Sequence, residues 1–219
     1  MRLRVLILIA LLTLTSVGAF AAACSTATLA TYDTAGFSCT IGDKTFSNFT
    51  YTASGSLGLL DTEITLTPVS SGGEFGFDFT AAWSAFGTNT SDSLIRYDIA
   101  AGSGFLITDA QLSMLGFAAT NIAQVSVADN FTNGVNLSVF YNPLCASTSS
   151  CVTSTSTTFP GVATLGVAKD IALTTSGSGT ASLSFVSNTV SQTPEPASLL
   201  LLGTGLLGIG AIARRKWLS

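Results

Sequence analysis

The chain is 219 residues long, 47% hydrophobic and only 9% charged, with a formal net charge of −4 and no histidine. The missing imidazole excludes Ser-His-Asp and Cys-His catalysis, the commonest zinc sites and the usual general base. Of its 8 basic residues only Lys44, Arg96 and Lys169 lie between residues 22 and 193, against eleven acids, so this body carries −8 and repels nucleic acid.

Residues 1–23 read as a secretory signal peptide. Arg2 and Arg4 make its basic start, residues 5–14 its apolar run, and Ala19-Phe20-Ala21 an A-x-A cleavage site, with cleavage after Ala23 as the alternative. Ala21-Ala22-Ala23-Cys24 partly matches a lipoprotein box, but Ala21 stands where a branched apolar residue is expected. An exported chain with 4 cysteines is expected to form two disulfides. Three pairings are open. Short separations and flanking turn residues favour Cys24 with Cys39 and Cys145 with Cys151.

From residue 24 to residue 190 the pattern is period-2 alternation broken by turn residues, which predicts one all-β domain, an antiparallel β-sandwich or jelly roll of seven to ten strands. Predicted strands cover residues 44–51, 63–67 (ended by Pro68), 74–83, 93–100, 104–115, 123–128 and 135–141, with two last ones at 161–174 and 180–190. The clearest is 74–83, where Phe75, Phe77, Phe79, Ala81 and Trp83 alternate with small or polar residues and mark the core centre. Residues 145–158 are expected to be a Ser/Thr-rich excursion clipped by its disulfide. Serine and threonine make up about a quarter of the chain, which strand and turn preferences largely explain.

Candidates for chemistry are few. The carboxylate pairs Asp61 with Glu63 and Glu74 with Asp78 have the residue types of a glycosidase pair, which also requires a cleft. Calcium could be held by Asp and Asn oxygens in turns, but no loop has EF-hand spacing and no ligand is nominated. No metal, cofactor or catalytic residue is expected, and the protein reads as a non-enzyme. Four Asn-x-Ser/Thr sequons, at Asn48, Asn89, Asn130 and Asn136, are unsurprising in so hydroxyl-rich a chain. The T-x-T pairs Thr65 with Thr67 and Thr155 with Thr157 are isolated, without the long repeat expected of an ice-ordering face.

The last 29 residues have three parts. Residues 191–196 form a linker ending in Pro194-Glu195-Pro196, extended because two prolines forbid helix. Residues 197–213 are uncharged and apolar, a transmembrane helix of about 25 Å. Arg214, Arg215 and Lys216 then act as a stop-transfer cluster in the basic tail 214–219. Gly203-Thr204-Gly205-Leu206-Leu207-Gly208 matches the dinucleotide-binding pattern G-x-G-x-x-G by letter, but it lies inside the apolar span rather than between a strand and a helix.

Pro-Glu-Pro, an apolar span and an Arg-rich terminus, in that order, resemble the PEP-CTERM sorting signal of Gram-negative bacteria. The resemblance implies recognition and cutting of the tail by an exosortase, a membrane intermediate, and a final place on the cell surface or in the extracellular matrix. It ties such proteins to exopolysaccharide and biofilm. Tails of this type also occur on ice-binding proteins, so a carbohydrate- or ice-binding module is the alternative. Residues 39–51, Arg96-Tyr97-Asp98-Ile99 and Ile107-Thr108-Asp109-Ala110 also look like segments of PEP-CTERM proteins of unassigned activity.

Overall fold

The computed structural model describes residues 21–148 and 150–194. The signal segment up to residue 20, Glu195, Pro196, the apolar span 197–213 and the basic cluster Arg214, Arg215 and Lys216 lie outside the described residues. Among the described residues no helix is long and apolar enough to cross a membrane.

The expectation of an all-β body holds. Thirteen strands form one sheet: β1 (Ala22–Ala23), β2 (Ala27–Thr28), β3 (Ser38–Ile41), β4 (Lys44–Ser54), β5 (Thr65–Ser71), β6 (Glu74–Phe86), β7 (Thr90–Ala101), β8 (Phe105–Leu115), β9 (Ala118–Phe131), β10 (Asn136–Tyr141), β11 (Ser154–Val162), β12 (Thr164–Val190) and β13 (Gln192–Pro194). Among the described residues helical structure is confined to the short turns Leu29–Tyr32, Asp61–Glu63 and Pro143–Thr148. All pairings are antiparallel except β1 with β3.

β12, 27 residues long, is the spine. On one side its first half pairs with β7 and its second half with β6. On the other side β9 and then β8 run against it. The expected strands 161–174 and 180–190 leave residues 175–179 as a break, and the structure corrects that. Those residues are absorbed as a bulge, in which 177–179 oppose the single residue Asn121 of β9. Gly177 (φ 61°) and Asn121 (φ 54°) both take the left-handed conformation, which glycine and asparagine tolerate best.

The sheet then curls back on itself. Phe79 lies opposite Val186, and Tyr97 opposite Val167, 19 residues apart along β12. A straight strand would separate them by about 60 Å. Their ring centroids are instead 6.3 Å apart. The two halves of one ribbon therefore face each other as a sandwich-like pair of layers, one holding β3, β4, β7, β9 and β10, the other β5, β6, β8 and β11, with β12 in both.

Alternation decides what lies between the layers. Leu165, Val167, Ile171 and Leu173 of β12 are buried with Ile95, Tyr97 and Ile99 of β7 and Val125 and Val127 of β9. Phe77 sits at the centre of the aromatic core. Its ring lies 4.9 Å from Phe46, 5.3 Å from Tyr32 and 5.8 Å from Phe49, in edge-on arrangements that add to simple burial. In β4 the inward residues Phe46 and Phe49 are three apart rather than two, because a bulge with Asn48 at φ 55° inserts one residue.

Two further expectations are corrected. Pro68 does not end its strand: it lies inside β5, opposite Phe77. The outer edge of β5 is paired only at Thr65 and Leu66, by β2, so the missing N–H of Pro68 costs no ladder bond there. The excursion 145–158 is a short helix followed by β11, whose Thr155 and Thr157 pair with the buried Leu112 and Ala110 of β8. Both disulfides form as expected, Cys24–Cys39 joining the first residues to β3 and Cys145–Cys151 closing the helix, and no described cysteine is free.

Candidate functional site

The chain leaves the sandwich through β13, whose backbone pairs antiparallel with β8: Gln192 with Ile107, Thr193 with Leu106 and Pro194 with Phe105. The first residue of the Pro-Glu-Pro motif thus lies in the last strand, opposite Phe105, where the sequence reads a linker. Just before it, Ser191 N donates to Asp109 Oδ1 at 2.7 Å and Thr108 N donates to Ser191 O at 3.3 Å. The exit end is acidic. Burial pushes the Glu74 carboxyl up, the Thr189 hydroxyl holds it down, and the charge of Asp109 raises it again. Asp43 accepts from the buried Lys44 Nζ at 2.9 Å, and that amine stands 5.2 Å from the Phe75 ring centroid.

Neither carboxylate pair anticipated from the sequence is assembled for acid–base work. Glu74 and Asp78 lie four residues apart on one strand, about 13 Å along its axis, beyond the range glycosidases use. Asp61 and Glu63 share a 3-10 turn, where Glu63 Oε2 accepts from Leu60 N at 2.7 Å and serves as a cap. Among the described residues no three His, Cys, Asp or Glu side chains gather as a metal site.

A polar cleft runs across the outer face of the first layer, as two adjoining hollows of about 420 and 370 Å³ that share Asn48, Asp98, Thr132 and Gly166. Register places Asp98 of β7 opposite Gly166 of β12, and Arg96 opposite Ala168. The β4 bulge swings Asn48 over, so that its Nδ2 donates to Asp98 Oδ2 at 2.7 Å. Thr132 Oγ1 accepts from Gly166 N at 2.9 Å. A Cβ at Gly166 would lie 2.6 Å from Thr132 Cγ2, so a larger residue there would have to displace the Thr132 side chain. Amide, carboxylate, hydroxyl and guanidinium groups line this cleft, a set suited to hydroxyl-bearing ligands.

Sequence reasoning missed the polar cluster inside the core. Lys169 of β12 and Asp129 of β9 are direct cross-strand partners, both fully buried, with Nζ 2.6 Å from Oδ1. Lys169 Nζ stands 5.3 Å from the Phe79 ring centroid. From the first layer the Tyr97 hydroxyl donates to Asn188 Oδ1, and Asn188 Nδ2 donates to Gln111 O at 2.8 Å. The signal is present in the sequence. Lys169 occupies the apolar phase of Leu165, Val167, Ile171 and Leu173, and Asp129 the phase of Val125 and Val127.

Burial dominates the titration of this cluster. It pushes Asp129 up and Lys169 down, and each partner's charge and hydrogen bond pull back in part. Tyr97 is pushed well above 10.0 by burial and then by the Asp129 charge. Tyr32 is pushed to about 12 by burial, partly offset by its bond to the Ser25 carbonyl. A raised folded pKa gives stability that is intact below the unfolded value and lost as pH rises. The tyrosine contribution to stability is therefore expected to be intact up to about pH 10 and to fall above it, as unfolded tyrosines ionise and folded ones do not. Urea titrations at increasing pH check this, and Tyr97→Phe should make the fall shallower.

Comparison with known proteins adds a family signal in one region. Residues 192–216 match the PEP-CTERM protein-sorting motif. No curated protein sequence matches the chain. Among solved structures, TmCBM61 in complex with beta-1,4-galactotriose shares 5% identity over 66% of this chain and 88% of its own, with a TM-score of 0.29. Endoglucanase 3 of Trichoderma harzianum, from family GH12, shares 9% identity over 66% of this chain and 98% of its own, with a TM-score of 0.22. At such scores neither likeness bears on function.

Proposed function

We propose that this is an exported, non-enzymatic protein of the cell surface or extracellular matrix, delivered through its PEP-CTERM motif and processed by an exosortase, with a link to exopolysaccharide. The match at residues 192–216 carries this reading. The two disulfides fit an oxidising compartment. The parts of the tail have separate physical tasks. Residues 197–213 insert, because they are uncharged and apolar. Arg214, Arg215 and Lys216 hold the span, since drawing each through the bilayer centre costs about 2.5–3.5 kcal/mol. Pro194-Glu195-Pro196 offers the enzyme a helix-free peptide. The antiparallel sandwich is the cargo.

Replacing Pro194, Glu195 and Pro196 with alanine should leave membrane insertion intact and abolish tail removal. Neutral residues at 214, 215 and 216 should weaken retention in the membrane while leaving the motif intact. Fractionation and intact mass, in a host with an exosortase and in one without, read both. A wild-type protein that keeps its whole tail in the host with the enzyme overturns the sorting reading in favour of a plain single-pass anchor.

The polar cleft supports a second reading, a carbohydrate-binding module carried by the same tail. Arg96, Asp98 and Asn48 line it, and the Asn48 amide is held by the Asp98 carboxylate. The ice-binding form of this reading has less support. Thr65 and Thr67 flank the buried Leu66 and face outward, while Thr155 and Thr157 share the phase of the inward residues of β8.

A further inference from the structure

The buried Lys169–Asp129 pair is unlike the other ion pair among the described residues. Asp43 keeps 23% of its side chain exposed, whereas neither Lys169 nor Asp129 is reached by solvent. One carboxylate oxygen of Asp129, Oδ1, accepts from Lys169 Nζ at 2.6 Å, and the other, Oδ2, has no hydrogen-bond partner among the described residues. A fully buried carboxylate with an orphan oxygen is costly, and so is a buried ammonium, whose desolvation the Phe79 ring offsets only in part. Yet the two groups sit on neighbouring strands at the centre of the fold, β9 and β12, where the register makes them meet.

We propose that Lys169 and Asp129 condense into an intramolecular isopeptide bond that cross-links β9 to β12. Nζ is held against the carboxyl group on adjacent strands of a packed core, the arrangement that turns an encounter between two reagents into a step within one molecule. The nucleophile is the neutral amine and the electrophile the neutral carboxylic acid, and burial moves both groups toward those forms. Nζ attacks Cγ. The Cγ–Nζ bond forms and the Cγ–Oδ2 bond breaks. Oδ2 leaves as water, carrying the carboxyl proton and one proton from the amine. No oxidation state changes and no co-reactant is consumed. Solvent exclusion then protects the amide from hydrolysis. The bond also removes both buried charges and the orphan oxygen in one step.

The test is the mass of the exported protein, purified with both disulfides intact. The expected mass is one water below that of the disulfide-bonded chain, in all molecules. After reduction and proteolysis, a branched peptide should join the segments around residues 129 and 169. Lys169→Arg keeps a cation beside Asp129 but cannot make the amide, so it should restore the missing water and eliminate the branched peptide. A wild-type mass without the water deficit after prolonged incubation overturns the proposal. So does a deficit accompanied by separate, unbranched 129 and 169 peptides, which would place the dehydration elsewhere. Both readouts use the wild-type protein, so the conclusion does not depend on whether Lys169→Arg folds.

Discussion

Phe77→Ala is expected to destabilise the body by about 3–5 kcal/mol, the range for truncating a large buried aromatic side chain. Phe77 is fully buried and its ring touches those of Tyr32, Phe46 and Phe49 edge-on. These partners come from the first helical turn and from β4, so the cavity would open between the layers rather than at an edge. It could not collapse easily, since β4 is pinned to β7 and β6 to β12. Urea unfolding should show a lower midpoint with an unchanged slope. A loss under about 1 kcal/mol, typical of peripheral sites, would place the core centre elsewhere.

Lys169→Met is expected to cost a similar amount, about 3–5 kcal/mol, because it strands the Asp129 carboxylate in the core with neither oxygen satisfied by a cation. The direction is the same whether the two groups are paired or joined, since either way the carboxyl loses its partner. Adding Asp129→Leu should recover most of the loss, as two apolar side chains replace two desolvated polar ones. Urea unfolding of both single variants and the double variant forms a cycle. Additive losses across it would show that the two positions do not interact.

These two positions also show how far the sequence could be read. Phe77 is legible because strict alternation over residues 75–83 can satisfy only a strand with one buried face. Lys169 and Asp129 fall in the apolar phase of their strands, a signal the sequence reading passed over, and strand phase alone cannot tell which inward charges meet. That took the register of β12 against β9, set 40 residues apart in the chain. The missed continuity of β12 has a related cause. Ser-Gly-Ser-Gly is a turn signal by local preference, and here the pairing of strands on both sides overrides it. The outer cleft was illegible for a third reason. It depends on a bulge at Asn48 and an empty position at Gly166, and both act only when four strands are laid side by side. The sorting motif was legible because it is read as a peptide rather than as a surface.

The central place of β12 has a consequence for the order in which the protein can fold. β12 is the last long strand made, completed at Val190 of a 219-residue chain, yet β6, β7, β8 and β9 all pair with it. Until it arrives, those four strands present open edges, and the two layers have no common member to close on. Such long-range pairing is slow and exposes aggregation-prone edges meanwhile. Only four residues separate the end of β12 from Glu195, the middle residue of the motif. Closure of the sheet and delivery of the tail therefore fall almost together in time. A molecule whose motif has reached the membrane has only just received the strand that makes it whole.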